Sequence, residues 1–193
     1  MSAAARERIG PGPLILVVGP SGAGKDTLMA LARTQLAADP DIVFPHRIVT
    51  RPPTETEAHE SVSEEAFESI KGQRGFAFCW RAHGFKYALS AAIDADVRGG
   101  RTVVCNVSRT LVPRLRARYA CVLVVLVTAP RALLVARLVG RARASDGNVA
   151  LRLDRVAADP DDLSPDVVIE NVATPQTGAA RLCEAIRRIV PQL

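Results

Sequence analysis

The run Leu14-Ile15-Leu16-Val17-Val18 leads directly into Gly19-Pro20-Ser21-Gly22-Ala23-Gly24-Lys25-Asp26-Thr27. An unbroken apolar run of this length reads as a strand buried on both faces, as in a parallel sheet. The spacing Gly19-x4-Gly24-Lys25 is that of a phosphate-binding loop between a strand and a helix. Its glycines let the backbone curl so that successive N–H groups converge on an anion, and the helix N-terminus adds partial positive charge. Lys25 would then reach the outer phosphates of a nucleoside triphosphate. The hydroxyl residue that normally follows the lysine is replaced by Asp26, with Thr27 one place later. A carboxylate at that position is still a hard oxygen ligand for Mg2+.

Downstream, apolar strands alternate with amphipathic helices, the pattern of an α/β fold with a parallel sheet. Strands are expected at Leu14–Val18, His46–Thr50, Thr102–Asn106, Val122–Thr128 and Val167–Glu170. Helices are expected at Lys25–Ala38, Arg109–Tyr119, Arg131–Leu138, Val149–Ala158 and Pro175–Ile189. The expected architecture is a five-stranded parallel sheet flanked by helices. Residues 1–13 read as a loose tail and 14–193 as a single domain. Two stretches break the alternation. A polar segment at about 52–89, with a short helix near Ser63–Ile70 and hairpin strands Phe76–Trp80 and Phe85–Tyr87, reads as an inserted lobe. An arginine-rich break at about 139–150 reads as a mobile lid. Ligands of open parallel sheets sit at the carboxyl ends of the strands. The Gly19 loop, Thr50-Arg51 and the Asn106–Arg109 turn are therefore expected to gather there.

Composition narrows the partners. The formal net charge is +5 and the basic side is nearly all arginine, lysine appearing only at Lys25, Lys71 and Lys86. No aromatic residues interleave with the basic ones as they do where bases stack, and there is no long basic block. Arginines dispersed through several segments fit a small molecule rich in phosphate better than nucleic acid. No apolar run approaches the ~18 residues of a membrane span. Cys79, Cys105, Cys121 and Cys183 are scattered, mostly inside apolar runs, and read as reduced core residues of a cytoplasmic protein. His46, His59 and His83 lack metal-ligand spacing.

Several residues outside the loop suit phosphate chemistry. Arg51 follows a strand and precedes Pro52, which leaves its planar fork pointing into a cleft. Arg137, Arg141, Arg143, Arg152 and Arg155 flank or lie in the lid. A lid that brings arginines over the phosphates supplies the charge and the water exclusion that phosphoryl transfer needs. Asn106, where an acidic Mg2+ organiser commonly stands, ends a strand, and Ser108 and Arg109 follow. Asp26 would compensate for the charge Asn106 lacks. Glu60, in the inserted lobe, is placed to bind a sugar hydroxyl or order a water.

With these residues placed, the chain resembles the guanylate kinase-like group of P-loop kinases from about Leu14 to Val190. The likeness rests on the phosphate loop, on Thr50-Arg51-Pro52-Pro53, on Ser63-Glu64-Glu65-Ala66-Phe67, on Trp80…His83-Gly84…Tyr87, and on Arg137-Leu138…Arg141 with Arg152-Leu153. It implies that the inserted lobe binds the acceptor, that Arg51 grips an acceptor phosphate and that Tyr87 lines its site. Arg141 and Arg152 would bridge donor and acceptor, and Arg137 and Asn171 would lie by the nucleotide. The glutamate that reads guanine in that group is missing, since Arg81 and Ala82 follow Trp80.

Lys25-Asp26-Thr27, His46-Arg47-x-x-Thr50-Arg51-Pro52, His59-Glu60, Trp80-x-Ala82-x-Gly84 and Asn106-x-Ser108-Arg109 are together similar to the ribose 1,5-bisphosphate phosphokinases of phosphonate degradation. Ala88 stands where that family usually has glycine. The resemblance implies phosphorylation of ribose 1,5-bisphosphate to 5-phosphoribosyl 1-diphosphate, with ATP and Mg2+ as cofactors. Gly19 to Thr27, Arg137 and Asn171 would hold the nucleotide, and Asp26 the metal. Arg51, Glu60, Tyr87, Asn106, Ser108 and Arg109 would hold the acceptor. Lys25, Arg51, Arg141 and Arg152 would carry the transfer. A nucleoside monophosphate kinase is the alternative, and a non-catalytic module that binds protein partners a more distant one. No nucleic-acid or membrane partner is implied, and a homodimer is left open.

Overall fold

The computed structural model describes residues 7–52, 59–82, 84–142 and 163–190, the side chains of Arg141 and Ala142 excepted. Two sheets organise it. The larger has five strands: β1 (Leu14–Val18), β2 (Ile42–Val43), β7 (Thr102–Asn106), β8 (Val122–Thr128) and β9 (Val167–Glu170), in the order β2-β7-β1-β8-β9. All five residues of central β1 are fully buried, as an unbroken apolar run requires. The smaller sheet has four: β3 (Arg47–Val49), β4 (His59–Ser61), β5 (Phe76–Ala82) and β6 (Phe85–Ser90), in the order β4-β3-β6-β5. Helices α1 (Lys25–Gln35), α2 (Glu64–Gly72), α3 (Ala92–Arg98), α4 (Val112–Arg118), α5 (Arg131–Ala142) and α6 (Pro175–Arg187), with a 3-10 turn at Arg109–Leu111, complete the described elements.

This is the expected α/β fold with one exchange of strands. The segment expected at His46–Thr50 is β3, and it belongs to the smaller sheet, where Ile48 pairs with Ala88 and Val49 with Tyr87 of antiparallel β6. The short β2 takes its place in the larger sheet, parallel to β7 through Ile42–Thr102 and Val43–Val103. Two residues carry no readable period, so β2 left no signal of its own. The inserted lobe therefore begins at Arg47 rather than at residue 52, and Arg51 follows a strand of that lobe.

The chain divides into two compact units. One comprises the chain up to Ile15, Pro40–Cys105 and Thr110–Val122; the other comprises Leu16–Asp39, Asn106–Arg109 and the chain from Leu123. In the first unit, Ser63 caps α2 by accepting from the Ala66 amide at 3.1 Å. One face of the four-stranded sheet receives this helix. Phe67, Ile48 and Ala88 form the buried cluster there, flanked by Val62, Phe76 and Cys79. Burying the Phe67 ring contributes roughly 1.5–3 kcal/mol. Ala88, fully buried, puts its methyl into this cluster. Lys86 crosses from the same sheet face to Glu64 and Glu68 of α2, at 2.6 and 3.0 Å.

The stretch expected as a loose tail is anchored near its end. Ile9 donates its amide to the Arg118 carbonyl, and its own carbonyl accepts from the Ala120 amide. Behind α4, the buried phenol of Tyr119 donates to Asp94 at 2.6 Å, and Arg118 pairs with the other carboxylate oxygen at 2.5 Å. Burial pushes the Tyr119 phenol well above its ordinary range. It is a fixed structural donor.

In the second unit, α1 and α6 pack together, with Leu28, Leu182, Ala179 and Ile186 buried. The break at Gly140 does not end α5, which continues to Ala142. An open helix glycine costs only about 1 kcal/mol relative to alanine, too little to stop a helix packed elsewhere. The expected helix Val149–Ala158 lies outside the described residues, as do Arg143, Arg152 and Arg155.

Candidate phosphate-binding site

The loop between β1 and α1 has the conformation its glycines permit. Gly19, Gly22 and Gly24 have φ of 145°, 84° and 87°. Gly24 is the N-cap of α1 in the left-handed region, and its carbonyl accepts from the Leu28 amide at 3.0 Å. Lys25 curls back over the loop, its ammonium donating to the carbonyls of Gly19 at 2.9 Å and Pro20 at 2.8 Å. A lysine so held stands at the open end of the helix dipole, where an anion is favoured.

Asp26, in the first turn of α1, accepts from Asn106 Nδ2 at 2.8 Å. Asn106 is buried at the end of β7. The two polar positions expected to organise a divalent cation are therefore in contact. One is a carboxylate, and the other fixes it by donating Nδ2. A set of carboxylate and amide oxygens suits Mg2+. Thr27 is exposed on the same turn, and Ser21 is half-buried in the loop. Ser108 and Arg109 follow β7, both half-buried, Arg109 opening a 3-10 turn over Arg109–Leu111.

Asn171 and Arg137 do something the sequence did not reveal. Asn171 is buried just after β9; its backbone amide donates to Thr128 and its side-chain Nδ2 to the Ala23 carbonyl at 2.8 Å. Arg137, on α5, donates to the Asn171 carbonyl at 3.0 Å and to the Gly22 carbonyl at 3.5 Å. Both side chains brace the phosphate loop. The only sequence trace of this arrangement is the pair Gly24 and Gly178. A Cβ on Gly24 would lie 2.6 Å from Asn171 Nδ2, and one on Gly178 would lie 2.9 Å from Asn171 Oδ1.

In the four-stranded sheet, Arg51 is half-buried just beyond β3, next to Thr50, whose hydroxyl accepts from the Lys86 amide at 3.0 Å. Glu60 and Tyr87, expected to share the acceptor, are parted by register. Glu60 pairs with Ile48, and Ile48 with Ala88, so Glu60 is exposed on the face that receives α2. Tyr87 pairs with Val49 and lies on the opposite face. Successive strand residues point to opposite faces, and an odd offset separates the two. Glu60 is accordingly not a partner of Tyr87. Arg141 falls where only the main chain is described, and Arg152 outside the described residues.

No protein-family model matches the chain. It is 50% identical over 184 residues to ribose 1,5-bisphosphate phosphokinase PhnN of Rhodopseudomonas palustris, covering 95% of this chain and 93% of that protein. It is 48% identical over 179 residues to the protein of the same name from Bradyrhizobium diazoefficiens, covering 93% and 90%. Among solved structures, guanylate kinase from Anaplasma phagocytophilum superimposes with a TM-score of 0.66 at 16% identity, over 95% of this chain and 88% of that one. This last likeness concerns the fold. With half of its residues shared along nearly the full length of such relatives, the chain belongs to the ribose 1,5-bisphosphate phosphokinase family.

Proposed function

We propose that this protein transfers the γ-phosphoryl group of ATP to the 1-phosphate of ribose 1,5-bisphosphate, yielding 5-phosphoribosyl 1-diphosphate and ADP, as a step of phosphonate degradation. The observation that carries the reading is the loop of Gly19–Lys25 with its bound-back ammonium and the Asp26–Asn106 pair beside it. An oxygen of the acceptor phosphate attacks the γ-phosphorus in line. The bond from that phosphorus to the bridging oxygen breaks, and ADP leaves with the electron pair. A phosphate monoester is already a nucleophile at neutral pH, so the protein has no general base to supply. Its work is alignment and charge neutralisation.

Lys25 neutralises the outer phosphates and the loop amides cradle them. Arg51 holds an acceptor phosphate, and the family likeness assigns Arg141 and Arg152 to closing positive charge over both substrates. Asp26 would hold Mg2+, which would supply charge neutralisation to the triphosphate. Gly19 to Thr27 surround the nucleotide, and Ser108 and Arg109 stand at the end of β7 beside Asn106. The free thiols of Cys79, Cys105, Cys121 and Cys183 support a cytoplasmic setting.

The test is ADP release with Mg-ATP, offering ribose 1,5-bisphosphate and GMP in parallel. Turnover with the sugar bisphosphate and formation of 5-phosphoribosyl 1-diphosphate is the expected result; turnover confined to GMP would replace the reading by a guanylate kinase.

The metal assignment has its own test. Asp26→Asn removes the charge but keeps an amide for Asn106, and is expected to lower turnover about 100-fold or more. It should also weaken Mn2+ binding to the ADP complex, read by electron paramagnetic resonance. Adding Asn106→Asp returns the charge to the neighbouring position and should recover part of the Mn2+ affinity. Unchanged Mn2+ binding in Asp26→Asn would remove Asp26 from the metal site.

A further inference from the structure

The two faces of the four-stranded sheet carry different side chains, and the face away from α2 holds residues with no assigned role. Helix α2 covers one face, which carries Glu60 and Lys86, the latter tied to Glu64 and Glu68 of the helix. On the other face, register places Arg47 and Val49 of β3, His59 and Ser61 of β4, Tyr87 of β6, and Trp80 of β5. Arg47 pairs directly with His59, and Val49 with Ser61. None of the strand residues on this second face is a carboxylate.

The side chains there are arranged over an aromatic floor. Trp80 and Tyr87 stack with centroids 5.4 Å apart and planes 15° off parallel. The Arg47 guanidinium carbon lies 6.0 Å from the centre of the Tyr87 ring. An aromatic neighbour at this distance holds the guanidinium by cation–π attraction, and its planar fork still matches a phosphate. His59, on the adjacent strand at the usual spacing of about 4.8 Å, adds an imidazole N–H donor in any protonation state. The Ser61 hydroxyl is buried and has no hydrogen-bond partner among the described residues. Buried hydroxyls are normally satisfied, so an unused one beside a guanidinium and an imidazole N–H donor favours an oxygen-rich ligand.

We propose that Arg47 and His59, with Ser61, form the subsite for the non-reacting 5-phosphate of the acceptor. The assignment rests on the proposed reading of the acceptor as ribose 1,5-bisphosphate. Arg47 and Arg51 are separated along the strand by at most about 13 Å, a span that two arginine side chains close onto the two ends of one pentose bisphosphate. Arg51 serves one phosphate and Arg47 the other. The substrate has no base to read, and this face offers a guanidinium and N–H and O–H donors where a base-reading site would need matched donors and acceptors.

The experiment compares ribose 1,5-bisphosphate with ribose 1-phosphate as acceptors, in the wild type and in Arg47→Met, Arg47→Lys and His59→Asn. The quantity read is the ratio of kcat/KM for the two acceptors. Loss of a charge-assisted hydrogen bond to phosphate is worth about tenfold to a hundredfold. Arg47→Met is therefore expected to lower the ratio at least about tenfold through KM for the bisphosphate, with KM for ATP within about twofold of wild type. His59→Asn should lower it by a smaller factor, and Arg47→Lys should restore part of what methionine removes. If Arg47→Met proves unstable, the other two variants decide. A merely structural role would lower kcat/KM for both acceptors alike and leave the ratio unchanged, and that result overturns the assignment alone. Absence of wild-type turnover with ribose 1,5-bisphosphate overturns the acceptor reading, and the subsite with it.

Discussion

Replacing Lys25 by methionine is expected to reduce turnover at least about 1,000-fold while leaving the protein folded. The ammonium sits 2.9 and 2.8 Å from two loop carbonyls. It is thus held over the loop at the N-terminus of α1, where the outer phosphates of a triphosphate would bind. Phosphoryl transfer leaves the protein little to do except place and neutralise charge, so removing a cation from the reacting group costs most of the rate. Methionine has nearly the same reach, and water can replace the hydrogen bonds to the two carbonyls at this half-buried position. The melting temperature should therefore move by no more than a few degrees. Steady-state kinetics with matched thermal melts check both halves. A variant retaining a tenth of the wild-type rate would show that this loop does not carry the transferred phosphate.

The largest effect on stability is expected from Gly19→Ala. A Cβ built there would lie 2.0 Å from the backbone carbonyl oxygen of Val127 in β8, and the residue has φ of 145°. No rotamer relieves a clash with main chain, so either the loop or β8 must move. We expect a loss of about 3 kcal/mol or more. For a chain of this size that lowers the melting temperature by roughly 6–12 °C. Nucleotide binding should fall with it, because the displaced loop no longer aims its amides. Gly72→Ala is the control. A Cβ on Gly72, in α2, meets nothing within 4 Å, so alanine should be neutral or slightly stabilising there. Thermal melts of the two variants side by side decide whether the close approach to Val127 is what reserves Gly19 for glycine.

How much of this was legible depended on how local its cause is. The strands Leu14–Val18, Thr102–Asn106, Val122–Thr128 and Val167–Glu170 have the predicted limits, because an apolar run bounded by polar or turn residues is a local signal. Serine at position 63 announced the start of α2 in the same way. The strand at Arg47–Val49 was readable as a strand, but not its sheet: membership depends on Ile48 and Val49 finding Ala88 and Tyr87, far along the chain. Strands β2 and β4 are too short to show any period, and α3 went unseen for a similar reason.

The candidate site divides along the same line. The sequence by itself determined the phosphate loop, its lysine, and the displacement of acidic character from Asn106 to Asp26, because spacing and residue type within a few positions define a loop at a helix N-terminus. The bond from Asn106 Nδ2 to Asp26 Oδ1 joins residues distant in the chain, and only the folded arrangement shows it. Asn171 and Arg137 are a sharper case: the resemblance put both beside a nucleotide, and only the folded arrangement shows their amide and guanidinium reaching the carbonyls of Ala23 and Gly22. Glu60 and Tyr87 read as neighbours in one lobe, and strand register sends them to opposite faces. A period of two is fixed by each strand, but which residue faces which across a sheet is set by pairing over long sequence distances. Residue type and local spacing thus determined the chemistry this chain can perform, and tertiary pairing decided which side chains stand together to perform it.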